Sequence, residues 1–366
     1  MKGGRGAWGI GFLLTAHFFA CRQDAPLAPE AGPDPGPVSP VDFNLDSVPY
    51  PELSRYHFFS GPLADQQPSA GVLPFAPITP LFSDYAHKYR FVWMPAGTSA
   101  SYDSDSTTLD FPDGAVLIKS FYYDHVQPAD ARRYLETRLL FKRNGHWEFA
   151  NYVWNAEQTE AMLDLNGSNV SLTWTDDLGS PHQENYRIPS EVECFTCHKY
   201  WDQPEPLGTK PQNLNMEYPY PEGAMDQLAK WKAQGYLQDY PSSIETVAKW
   251  DDTDEPMDRR VRAYLDMNCA HCHATGRHCD YRPMRFAWSE TTDPENIGIC
   301  VPPEDLIEPT QEYIVKAGNA NRSMLYYRIS STAEAVRMPL MGRTVRHEEA
   351  IQLIGDWINA LPDTCP

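Results

Sequence analysis

From about residue 45 to 190 the chain alternates aromatic or β-branched residues with polar ones, and clusters of turn-forming residues break the alternation. Four runs carry the pattern: Tyr89–Trp93, Ala115–Phe121, Glu136–Phe141 and Trp147–Trp154. A period of two sends every second side chain to the same face, so each run predicts a strand. Phe111-Pro-Asp-Gly114 and Arg143-Asn-Gly145 supply turns between them. The whole predicts a β-rich domain over 45–190, of sandwich or jelly-roll type, with no cofactor motif of its own. Its aromatic residues suit either a core or a carbohydrate groove, and strand aromatics are usually core.

Beyond Pro189 helical spacing takes over. A short helix is expected near Ala224–Gln234. A longer one runs from about Pro256 to Asn268, with Met257, Val261, Tyr264 and Leu265 on one face and Asp254 or Thr253 placed to cap it. The last, from about His347 to Leu361, aligns Ile351, Ile354, Ile358 and Leu361 and carries Glu348 and Glu349 at its dipole-positive start.

Two strings in this half change the picture: Cys194-Phe-Thr-Cys197-His198 and Cys269-Ala-His-Cys272-His273. Each is a Cys-x-x-Cys-His, the attachment signature of c-type haem. In that motif two thiols bond the haem vinyl groups, and the adjacent imidazole reaches the iron. With 8 Cys and 11 His in 366 residues, composition alone yields about 0.005 such strings. A zinc cage built from both Cys pairs has no need of a His after each one, and a redox dithiol would sit near a βαβ pattern that is absent here. Cys194, Cys197, Cys269 and Cys272 are therefore expected to hold two covalently bound haem c groups, with His198 and His273 as iron ligands.

The helix entering Cys269 and the closing helix form the frame of a class I cytochrome c fold. Between them lies Arg337-Met338-Pro339-Leu-Met341-Gly342. A thioether on a loop stiffened by the following Pro suits the sixth position of a haem iron and raises its potential relative to bis-His ligation. Met338 is the choice for the second haem; Met341 is the competitor, and a core-filling Met is the plain alternative. The first iron has no such candidate: His182, Met216 and Met225 are nearby in sequence, and none sits in a Met-Pro loop. Cys279, Cys300 and Cys365 remain. One pair should close in an oxidising compartment, with Cys300 the expected shared member.

The start of the chain agrees with that compartment. Lys2 and Arg5 precede an apolar run from Ala7 to Ala20 and then Cys21, an export signal over residues 1–20 whose end resembles a lipoprotein cleavage site with Cys21 as the lipidated residue. An ordinary signal peptide with Cys21 incidental is the alternative, because Phe18 and Phe19 depart from the usual pattern. Residues 21–44 are rich in Pro and poor in large apolar side chains, and are expected to act as a tether. These features predict an exported protein, periplasmic or a lipoprotein of the outer membrane, held to the membrane through its lipid. The net charge of −20 argues against nucleic acid and favours a redox partner protein with a basic surface.

Several segments together resemble an uncharacterised family of bacterial diheme c-type cytochromes: Phe111–Lys119, Tyr152–Thr159, Arg187–Ser190, Asn268–His273, Ile299–Pro303, Arg337–Pro339 and Trp357-Ile358. The likeness covers about residues 50–362. It implies a β-rich N-terminal region before two haem segments, haem bonds at Cys194, Cys197, Cys269 and Cys272, and iron ligands His198, His273 and Met338. Some members are encoded beside a parallel β-helix protein, which the resemblance offers as a partner. The expected architecture is α+β and multidomain: a β-sandwich-like domain at 45–190, a first haem segment at 191–250 and a cytochrome c-like domain with the second haem at 251–366. The expected function is electron transfer. A peroxidase-like enzyme with an open first haem, and a β-domain adaptor for a glycan or protein, are the alternatives.

Overall fold

The central strands form from runs rich in β-branched and aromatic residues, with apolar side chains at successive positions that serve both faces. A computed structural model of the chain describes Val38–Pro366, together with Met1, Gly3 and Gly4. Most of the expected export signal, Cys21 and most of the Pro-rich segment lie outside the described residues. The last residues of that segment pack against the sheet: Phe43 stacks on Tyr56 at 5.7 Å, and Trp93 Nε1 donates to Ser39 Oγ at 3.1 Å.

The main sheet has eight strands: β1 Leu73–Pro74, β2 His87–Trp93, β3 Val116–Val126, β4 Ala131–Arg143, β5 His146–Trp154, β6 Ala161–Leu163, β7 Ser168–Thr175 and β8 Pro181–Ile188. Every pairing is antiparallel, in the order β8-β7-β3-β4-β5-β6, with β2 joined to β1 and β3. The four expected strands are present, and each runs beyond its expected residues at one end or both. They join one continuous sheet where two facing sheets were expected. The cause is the length of β3, whose Val116–Tyr122 pairs with β2 while Val126 reaches Trp174 of β7.

The two faces bury different sets. Phe91, Trp93, Val116, Ile118, Leu139 and Phe141 meet the N-terminal segment through Tyr56 and Phe58. Val92, Met94, Leu117 and Leu140 point the other way, onto Leu214, Leu228, Trp231 and Leu237. Farther along β3, Phe121 and Tyr123 share a cluster with Trp174, Tyr186 and Ile188. Each such side chain removed from water stabilises the fold by about 1.5–3 kcal/mol.

The helices come late. The ones that position the site are α1 Glu191–His198, α2 Gln227–Ala233, α3 Met257–Asn268, α4 Met324–Ser330 and α5 Glu348–Ala360. α2 starts later than its spacing predicts, because Gly223–Asp226 pairs with Glu217–Tyr220 as a strand and Asp226 caps the helix through the Ala229 N–H at 2.8 Å. Neither Asp254 nor Thr253 caps α3; Pro256 holds the cap position without a side-chain bond. α3 and α5 pack through Val261, Tyr264 and Leu265 against Leu353, Ile354, Trp357 and Ile358, and Trp357 Nε1 donates to Asp258 Oδ1 at 3.2 Å. Cys300 pairs with Cys365, and Cys279 is buried and has no disulfide partner among the described residues. Among the described residues no helix is long and apolar enough to cross a membrane.

Candidate functional site

α1 is short and carries charged residues in its first turn, so its end conditions decide whether it forms. Ser190 and Glu193 make a reciprocal capping box, and Arg187 grips Glu193 at 2.7 and 3.2 Å. Those bonds hold the Glu193 carboxyl down to about 2. The helix then delivers Cys194, Cys197 and His198, whose three- and four-residue spacing places all three on one side. His198 Nδ1 bonds the Glu205 carbonyl at 2.8 Å, and the ring lies edge-on to Phe149 at 5.3 Å. That bond orients the imidazole as a supporting carbonyl orients a metal ligand, and leaves Nε2 for an iron.

The second motif begins where α3 ends. The backbone N–H groups of Cys272 and His273 both donate to the Cys269 carbonyl, at 3.0 and 2.9 Å, so the motif is wound as one further turn. Its height is set by Asn268, whose Oδ1 accepts the Phe82 N–H at 2.8 Å. Burial lowers both His198 and His273 to about 4, which keeps the imidazoles neutral and able to ligate. Burial also pushes the Cys194 thiol up to about 11 and Cys269 to about 12.

Tertiary structure brings the motifs together. The Sγ atoms of Cys197 and Cys272 and a ring nitrogen of His271 all lie within 4.8 Å of one another. The close approach of the Cys272 thiol and of the His271 ring draws the Cys197 thiol down, and the Cys272 thiol rises in consequence. His271 is the middle residue of the second motif, and its buried Nδ1 has no hydrogen-bond partner among the described residues.

A cavity of about 520 Å³ opens beside the first motif, lined by Cys194, Cys197 and His198 together with His271, Met267 and Met341. That volume lies within the range of cofactor-binding sites. With two thiols and an oriented imidazole on its wall, these residues fit a covalently held haem. The second motif differs. Cys269 and Met338 line a cavity of about 30 Å³, room for about one water. A macrocycle does not fit there while the 337–343 loop packs over Cys269. Met338 and Met341 thus serve different cavities.

The strands contribute a part of the first cavity that motif reading missed. Arg90 pairs in register with Lys119, Lys119 with Arg138, and Arg138 with Asn151, so these four residues cross the sheet in one row and line the cavity. The available signal was a cation at a sheet-interior position in each of three apolar strand runs. No family model, curated protein or solved structure matches the chain.

Proposed function

We propose that the chain is an exported diheme c-type cytochrome that transfers electrons. The reading is supported above all by one observation: two Cys-x-x-Cys-His motifs, 75 residues apart in sequence, meet at Cys197 and Cys272, and the first opens on a cavity of haem size. Haem supplies a one-electron couple at iron. The protein's part is to hold each group through paired thiols, present neutral imidazoles at His198 and His273, and exclude water with the aromatic and aliphatic shell around them. Close attachment points favour exchange between the two groups.

α3, the second motif and α5 constitute the frame of a class I cytochrome c, with Met338 as the sixth ligand of the second iron. The 337–343 loop must move off Cys269 when that group is attached. Cys21 anchors the mature chain to a membrane through lipid, in the periplasm or at the outer membrane, and the acidic surface steers a basic redox partner protein toward it. A parallel β-helix protein is a further candidate partner.

A second reading rests on the Cys197, His271 and Cys272 cluster, which offers two sulfurs and one nitrogen to a soft divalent ion such as zinc. Intact mass and metal content of protein purified from its native host separate the two. Two haem increments with iron support the cytochrome. A chain without haem that carries one equivalent of zinc removes it.

A further inference from the structure

The cavity beside the first motif is cationic although the chain as a whole carries a net charge of −20. Six basic side chains line it, Arg90, Lys119, Arg138, Arg187, Arg337 and Arg343, against three acids, Asp84, Glu193 and Glu334. Two of the acids are already engaged: Glu193 by Arg187, and Asp84 by the Thr344 and Val345 backbone. Arg343 is bound by carbonyl oxygens, including those of Met338 and Ser331 at 2.9 Å.

The row on the sheet is different. Arg138 is held by Glu136, at 2.8 Å from Nε and 2.5 Å from a terminal nitrogen, and Glu136 also accepts from Tyr186 at 2.7 Å. Arg90 and Lys119 have no carboxylate within ion-pair distance among the described residues. Lys119 faces the ring of Phe121 at 4.7 Å, and Arg138 stacks on the same ring at 4.3 Å. At the end of the row Asn151 is buried, and its Oδ1 has no hydrogen-bond partner among the described residues. Burial lowers Arg90 to about 10, and burial first, then the neighbouring Arg90, Arg138 and Lys88, drives Lys119 well below its ordinary value. Like charges set in adjacent register are destabilising. An anion between them reverses the sign of that interaction.

We infer that Arg90, Lys119 and Arg138 form a carboxylate-binding row on the floor of this cavity, made to take the acid groups of an organic anion beside Cys194, Cys197 and His198. Arg90 offers a bidentate contact and Lys119 a second charged donor, and Arg138, whose Nε edge is taken by Glu136, adds its remaining N–H groups, so the row suits a pair of carboxylates better than one. Such carboxylates have two sources, the propionate arms of the first haem or a free dicarboxylate. Only the first source rests on the cytochrome reading.

The test uses intact protein from the native host, wild type and the variants Arg90→Gln, Lys119→Gln and Lys119→Arg. Haem content is counted by mass, the haem potentials are titrated, and succinate is titrated by calorimetry as the free dicarboxylate. Propionate binding is supported when the Gln variants lower the potential of one haem and leave the other unchanged, wild type ignores succinate, and Lys119→Arg restores the wild-type value. Free-anion binding is supported when succinate binds wild type and either Gln variant weakens it at least tenfold without moving a potential, with Lys119→Arg again restoring. Succinate binding by a chain without haem keeps the row and removes the cytochrome reading. Folded Gln variants that change neither quantity overturn the proposal.

Discussion

Asp84 and Thr344 are joined twice: the Thr344 N–H donates to Oδ1 at 2.6 Å, and the Thr344 hydroxyl donates to Oδ2 at 3.1 Å. The Val345 N–H adds a third bond to Oδ1 at 3.1 Å. One carboxylate in the turn before β2 therefore fastens the loop that carries Met338 and Met341. Asp84→Ala leaves those donors unpaired, at a cost of about 1–3 kcal/mol. Hydrogen exchange should show faster exchange at the Thr344 and Val345 amides, with β3 and β4 unchanged. Equal protection in the variant removes the latch.

His347 sits at the same junction, stacked on Phe82 at 4.1 Å and bonded through Nδ1 to the Tyr264 hydroxyl at 3.0 Å. Burial lowers it from 6.5 to about 4. The unfolded chain takes up this proton first, so the contribution is complete above pH 6.5 and falls as pH drops toward 4. The loss reaches on the order of 3 kcal/mol from this group. As pH falls from 6.5 toward 4, melting curves should show the wild type losing stability relative to His347→Phe, because the wild type alone carries the depressed imidazole. A parallel pH dependence in both proteins contradicts the assignment.

Met338 lines the small cavity with Cys269, whereas Met341 lines the large one with Cys194 and His198. On the proposed cytochrome reading the two substitutions should therefore act on different haems. Met338→Ala is expected to remove a sulfur-to-iron band in the near infrared and lower the potential of the second haem. Met341→Ala should leave that band in place. Loss of the band in Met341→Ala with retention in Met338→Ala reverses the ligand assignment.

The Cys300–Cys365 bridge spans 65 residues and ties the tail beyond α5 to the segment after residue 298. Lys316 reinforces the closure through Asp363 at 2.9 Å. Cys365→Ser should cost about 2–4 kcal/mol in urea unfolding. An unchanged midpoint means the bridge does not form in solution.

Much of the framework was legible because its signals are local. Alternation placed the four main strands, and helical spacing placed α3 and α5 within a residue or two. The helix ends were less legible. Gly223–Asp226 has a strand partner only because Glu217–Tyr220 turns back on it, and that pairing delays α2. The pairing of Cys300 with Cys365 was one of two options that spacing left open.

Neighbours along the chain are enough to specify the chemistry of the site: the thiol and imidazole spacing of the two motifs, and a Met-Pro loop between α3 and α5. It takes the folded chain to bring Cys197 to Cys272, to turn Met338 and Met341 to separate cavities, and to set Arg90, Lys119 and Arg138 in one row beside His198. The reason is register. Cross-strand neighbours are fixed by hydrogen bonding between segments tens of residues apart, and no local spacing records which residues those bonds bring face to face.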